Sequence, residues 1–108
     1  MSGDAPKRGV VTDANVLINL IHANHLDLCA GLREFEFVIP DHVRDEICDE
    51  AQRRTLEDAI VRKVLRVESL EDLGAIQLYA ELGTRLGSGE AACLALALTR
   101  GWLVASDG

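Results

Sequence analysis

Five acids in this chain sit where carboxylate chemistry could be done. Asp13 closes the β-branched run Val10-Val11-Thr12, and Asp41 and Glu46 follow the apolar stretch that ends at Pro40. Asp107 comes directly after Leu103-Val104-Ala105-Ser106, and Glu90 opens the most apolar segment of the chain. If the apolar runs are neighbouring parallel strands, the acids at their ends lie along one rim. Glu90 is the member that this logic does not place, because its segment precedes the last strand. Two carboxylates about 5 Å apart repel by roughly 3 kcal/mol at an effective dielectric of about 20. They must protonate, spread apart or hold a cation. A set of hard oxygen donors without Cys or His suits Mg²⁺ or Mn²⁺, ions that polarise a phosphate and activate water. Each acid also has a purely structural explanation. Asp13 is a good helix N-cap, Glu90 a favoured first-turn acid, Glu46 a solvated face residue and Asp107 a turn residue before Gly108.

The elements that must position these acids are legible in outline. Gly9-Val10-Val11-Thr12 reads as a buried strand and Asn15 to Ala23 as a helix, with Leu26 to Leu32 a second short helix. Phe35 to Ile39 is a second strand stopped by Pro40. Asp41 to Arg53 and Thr55 to Leu65 are expected to be helices, Arg66-Val67-Glu68 a third strand and Leu70 to Leu82 a helix. Ser88 to Arg100 is the clearest helix: Ser88 is the expected N-cap, Glu90 lies in the first turn and Gly101 closes it. Its middle, Ala91 to Leu98, is apolar all round, as in a buried helix. Trp102 to Ala105 forms a fourth strand. Strands alternating with helices predict an α/β fold with a parallel sheet of about four strands covered by helices. Such sheets place their sites beyond the carboxyl ends of the strands. On the helix from Asp41, Val43 and Ile47 mark the buried side at about 100° per residue. Glu46 and Glu50 both flank it, and periodicity does not choose between them.

With 108 residues, 48% hydrophobic and 27% charged, the chain reads as one globular domain. The expected division is a flexible tail over 1–8 and a domain over 9–108. The longest apolar run is Ala91 to Leu98, far short of the ~20 residues that span a bilayer. No secretory signal is visible, so no membrane association and a cytoplasmic location are expected. Cys29, Cys48 and Cys93 form no CxxC pair and read as reduced core thiols. His22 and His25 straddle an expected helix break at Asn24 and read as surface residues. A net charge of −7 argues against nucleic-acid binding through a broad basic surface. Acids concentrated at a metal site are still compatible with an RNA substrate.

Val10-Val11-Thr12-Asp13-Ala14-Asn15-Val16-Leu17-Ile18 resembles the opening of PIN domains, as in VapC-type toxins: a strand ending in Asp, then Ser, Thr or Asn two residues on. Pro40-Asp41-His42-Val43-Arg44-Asp45-Glu46 resembles the family's Pro-x-x-Val-x-x-Glu, which selects Glu46. Leu86-Gly87-Ser88-Gly89-Glu90-Ala91-Ala92 resembles the Gly-Glu-Ala helix of one PIN branch, and Leu103-Val104-Ala105-Ser106-Asp107 the strand carrying the fourth acid. The resemblance implies an endoribonuclease dependent on Mg²⁺ or Mn²⁺, with Asp13, Glu46, Glu90 and Asp107 as its catalytic and metal-binding acids. It also implies an RNA substrate, homodimerisation and an antitoxin protein that blocks the site. Asn15, Arg44 and Arg85 are the candidate substrate-binding residues. PIN domains usually continue with another helix and a final strand, so the domain is expected to be C-terminally truncated relative to the family.

Two rivals have their own signatures. A haloacid-dehalogenase-like phosphatase also begins with a strand ending in Asp. It needs a second Asp two residues later, where this chain has Asn15, and a later Lys, where only Lys7 and Lys63 exist. The other rival is a PIN-like binding module, inactive as truncated.

Overall fold

A strand buried on both faces shows no alternation of apolar and polar residues, and Val10, Val11 and Thr12 are all buried. The computed structural model describes residues 7–106. Its strands are β1 (Arg8–Thr12), β2 (Phe35–Pro40), β3 (Arg66–Glu68) and β4 (Leu103–Ala105). They form one sheet in the order β3-β2-β1-β4, with every pairing parallel. The α/β fold with a helix-covered parallel sheet is therefore as expected. β1 begins one residue before the anticipated boundary, since the Arg8 N–H donates to the Glu34 carbonyl at 3.0 Å. Residues 1–6 of the expected tail lie outside the described residues.

Strand order decides where a site can form. From β1 the chain moves to β2 and then β3 on one side, and β4 returns to the opposite side of β1. Connections thus leave in opposite directions at the β1–β4 boundary, which opens a crevice beyond the carboxyl ends of those two strands. Thr12 pairs with Ala105 there, and the Asp13 N–H donates to the Ala105 carbonyl at 3.2 Å.

The helices are α1 (Ala14–His22), α2 (Leu28–Gly31), α3 (Asp41–Glu46), α4 (Glu50–Val61), α5 (Leu73–Leu82) and α6 (Ser88–Arg100). α6 packs on the sheet and against α3 and α5, with Ala91, Ala92, Ala95 and Leu96 buried. The core continues through Val11, Leu17, Val38, Ile39, Val43 and Leu56. Asn24 takes a left-handed φ of 58° just beyond α1, so the expected break is there, and His22 and His25 are exposed.

Several expectations are corrected. Asp41 to Arg53 is not one helix, because the chain breaks over 47–49. Ile47 turns extended to keep its side chain buried, and Asp49 caps α4 by accepting from the Gln52 N–H at 3.0 Å. α5 starts three residues late for the same kind of reason: Asp72 accepts from the Ala75 N–H at 3.2 Å. Gly87 occupies the N-cap position of α6, while Ser88 is its first helical residue and shares a hydrogen bond with the Tyr79 hydroxyl at 3.0 Å. α6 is not buried all round, since Leu98 is 66% exposed on the flank away from the sheet. Cys29 and Cys93 are buried, but Cys48 is exposed in the α3–α4 break and is no core thiol.

Trp102 precedes β4 and lies on Gly9. A β-carbon at position 9 would stand 2.6 Å from Trp102 Cγ, so the strand must carry glycine where the indole crosses it. Arg66 and Arg100 lie over the same ring at 5.8 and 5.3 Å from its centroid. Gly9→Ala is expected to push the indole off the sheet and cost about 1–3 kcal/mol, the usual range for overpacking. Urea unfolding measures it, and an unchanged midpoint would mean that Trp102 can repack.

Candidate functional site

Asp13 is positioned by two backbone events at once. β1 ends at Thr12, and α1 starts at Ala14 with Asp13 as its N-cap, extended at φ −82° and ψ 170°. One carboxylate oxygen, Oδ1, accepts from the Val16 N–H at 2.9 Å. Capping therefore engages one carboxylate oxygen in a backbone bond. The structural and chemical readings of this Asp are compatible.

Glu46 is the last residue of α3, and its carboxylate lies against the first turn of α6. A β-carbon at Gly89 would overlap that carboxylate. Glycine inside a helix costs roughly 1 kcal/mol relative to alanine, and here it gives the Glu46 oxygens their place. The first turn of a helix presents unpaired N–H groups and a partial positive charge, which offsets some of the repulsion among nearby acids. Glu50 lies beyond the break and pairs with Arg54 on the surface at 3.1 Å. The periodicity that makes Glu46 and Glu50 equivalent holds only for a continuous helix.

Asp13, Asn15, Glu46 and Glu90 line one pocket of about 170 Å³, together with Ala14, Gly87 and Gly89. Asp13 and Glu90 also border a second pocket of about 50 Å³, which Cys93, Val104 and Ser106 help to line. The larger lies beyond the carboxyl end of β1 where α3 ends and α6 begins, the smaller reaches β4, and among the described residues neither is lined by Lys or Arg. Asp107 lies outside the described residues. Arg44 does not line the pocket of the acids: its guanidinium donates from Nε and Nη2 to Glu57, at 2.8 and 2.6 Å, holding that carboxyl below its usual range. Arg85 is exposed in the turn between α5 and α6, near Gly87 but not in the pocket lining.

Cys93 records the field of these acids. Its thiol is pushed up to about 12, first by burial and then by the negative charges of Asp13, Glu46 and Glu90. The thiol donates weakly to the Thr12 carbonyl at 3.7 Å and is neither a nucleophile nor a thiolate ligand at neutral pH. Among the described residues, no three carboxylate, imidazole or thiol groups come close enough to hold one ion jointly. The acids share a pocket but stay spread, one of the three ways that mutual repulsion can be relieved. An all-oxygen donor set with no competing cation fits Mg²⁺ or Mn²⁺. Sequence reasoning misses Gly87, Gly89 and Ser106 as site residues. The two glycines around Ser88 are the available signal, marking a close backbone approach.

A family model described as PIN domain matches residues 9–106. No curated protein matches the chain.

At neutral pH a thiol-alkylating reagent should modify Cys48 and spare Cys29 and Cys93, as peptide mass mapping would show; ready alkylation of Cys93 would refute its burial beneath the acids. Because the Cys93 pKa is raised from 9.0 to about 12, its contribution to stability is complete below about pH 9. That contribution is lost as pH rises toward 12, where the unfolded thiol ionises first. Gly89→Ala should change the melting temperature by only a few degrees, since the helix-propensity gain of roughly 1 kcal/mol opposes the overlap with a flexible carboxylate. It should nevertheless displace Glu46, which a crystal structure of the variant would reveal.

Proposed function

The chain belongs to the PIN-domain family, whose members are generally nucleases, and we propose that it is a divalent-metal-dependent endoribonuclease. The observation that carries this reading is the convergence of Asp13, Glu46 and Glu90 on one pocket without a basic residue in its described lining. The matched family also sets aside the phosphatase alternative.

In this reading Asp13 and Glu90 would hold Mg²⁺ or Mn²⁺ together with Asp107, and Glu46 would hold a second ion or orient the attacking water. A bound divalent cation supplies the charge that draws a phosphodiester into an acidic pocket, and lowers the barrier to in-line attack by water. Asn15, at the rim, offers an amide to a phosphate oxygen. Arg85 is the described basic residue best placed to steady the RNA backbone next to Gly87, whereas Arg44 is held by Glu57. The α1 cap keeps Asp13 in one rotamer, so the ligand carboxylate is oriented before substrate arrives. Hydrolysis leaves a 5′-phosphate and a 3′-hydroxyl, with no covalent bond to the protein. Single-stranded or loop RNA fits best, because its phosphates can enter the pocket without a duplex partner. The finer reading makes the chain the toxin of a toxin–antitoxin pair, cytoplasmic and homodimeric, with the antitoxin protein covering the acids. Among the described residues no helix is long and apolar enough to cross a membrane.

Purified protein with Mn²⁺ should cut single-stranded RNA, and Asp13→Asn should abolish cleavage. Asn caps helices as well as Asp, so this variant removes charge while keeping the cap. Mn²⁺ should also raise the melting temperature, by about 2.7 kcal/mol of stability at roughly a hundredfold excess over its dissociation constant. Asp13→Asn should lose that response and be more stable without metal. Turnover of a small phosphomonoester alone, lost in Asp13→Asn, would overturn the nuclease reading. Metal binding without RNA cleavage would favour a PIN-like binding module.

A further inference from the structure

A cavity of about 540 Å³ lies at the other end of the sheet. β3 has three residues and pairs only with Val38, Ile39 and Pro40, so on that edge of β2 no described strand runs beside Phe35–Phe37, which β1 pairs on the other edge. The gap is walled by the turn after α2, with Leu32 and Arg33, and by the link from α4 to β3, with Lys63, Val64 and Leu65. Phe37, Ile60 and Val67 add to its apolar surface. A volume of this size is in the range of small-molecule sites, roughly 300–1,000 Å³.

Charge separates this cavity from an ordinary surface fold. Lys7, Arg33, Arg44, Lys63 and Arg66 line it, five of the 11 basic residues in a chain of net charge −7. Glu36 is the one acid in its described lining. Two of the cations are neutralised: Arg44 by Glu57, and Arg66 by Glu36 and Glu68 at 3.3 Å each. Lys7, Arg33 and Lys63 make no ion pair among the described residues. Three uncompensated cations around an apolar cavity match a ligand with the opposite pattern, an apolar body carrying a negative group.

We propose that this cavity binds an organic anion, a carboxylate or phosphate on an apolar body of about ten carbons or an aromatic ring pair. Leu32, Phe37, Ile60 and Val64 take the body, and Arg33, Lys63 and Lys7 take the charge. The cavity shares no lining residue with the acidic pocket, so its test is read independently of nuclease activity. The probe is anilinonaphthalene sulfonate, titrated into the intact chain and followed by fluorescence. One saturable site is expected, with affinity that falls as salt screens the charges. In the Arg33→Glu, Lys63→Asn double variant the affinity should fall at least tenfold. Asn is chosen because Lys63 has a left-handed φ of 63°, which Asn tolerates. Decanoate or decyl phosphate should displace the probe, the stronger of the two identifying the head group, and decanol should not. Salt-independent binding, unchanged affinity in the variant, or displacement by decanol as good as by the anions would each overturn the proposal. The salt titration of the unmutated chain decides between these outcomes even if the variant folds poorly.

Discussion

α6 lies close against β1 and α3 because most of the residues it buries are small. Gly89, Ala91, Ala92, Ala95 and Ala97 are buried along it beside the larger Cys93 and Leu96, and a bulky side chain at one of the glycine or alanine positions would lift the helix from its neighbours. Close approach has a direct chemical result. It brings the backbone at Gly89 onto the Glu46 carboxylate and the Cys93 thiol onto the Thr12 carbonyl. Helix start, strand end and the end of α3 thereby meet at one place, and three acids from three separate segments border one pocket. Packing density, more than any one hydrogen bond, sets the distance between these charges.

The electrostatic arrangement follows from the same packing. Burial beneath the acids keeps Cys93 protonated, while the first turn of α6 places positive dipole beside Glu46. Asp13 is held by its own helix rather than by a basic partner. Basic residues are engaged elsewhere, as in the Arg44–Glu57–Arg53 cluster on the α3–α4 surface. The acids near the crevice are thus left without cationic partners among the described residues, the condition under which a divalent ion gains most from binding.

The fold was legible wherever burial imposed a pattern. β1, β2 and α6 announced themselves through unbroken apolar runs, and α6 was bounded correctly at Ser88 and Arg100. What sequence could not show was which local bond would win at an element boundary. Asp49 is as plausible inside a helix as at its cap, and the choice depends on whether Ile47 can stay buried when the helix breaks. Ser88 is a better capping residue than Gly87, yet its hydroxyl finds Tyr79 from another helix. At the candidate site, strand-end logic located Asp13 from residues alone. Glu46 and Glu90 needed the family resemblance, because their meeting depends on a tertiary contact between α3 and α6. Arg44 looked free in sequence, since the Glu57 that binds it lies 13 residues away. Cys48 looked like core because a free cysteine packs as a small hydrophobe, and the break after α3 exposes it.

A parallel sheet has two chemically distinct rims, and in this molecule they carry opposite charge. Acids border the crevice at the carboxyl ends of β1 and β4, and uncompensated bases surround the cavity near the amino ends of β1 and β2. The two sets stand roughly 15 Å or more apart along the strands, so local charge changes sign from one site to the other. A long polyanion approaching by diffusion would meet the basic set first, with the acidic set turned away from it, at ionic strengths where the field still reaches beyond the surface.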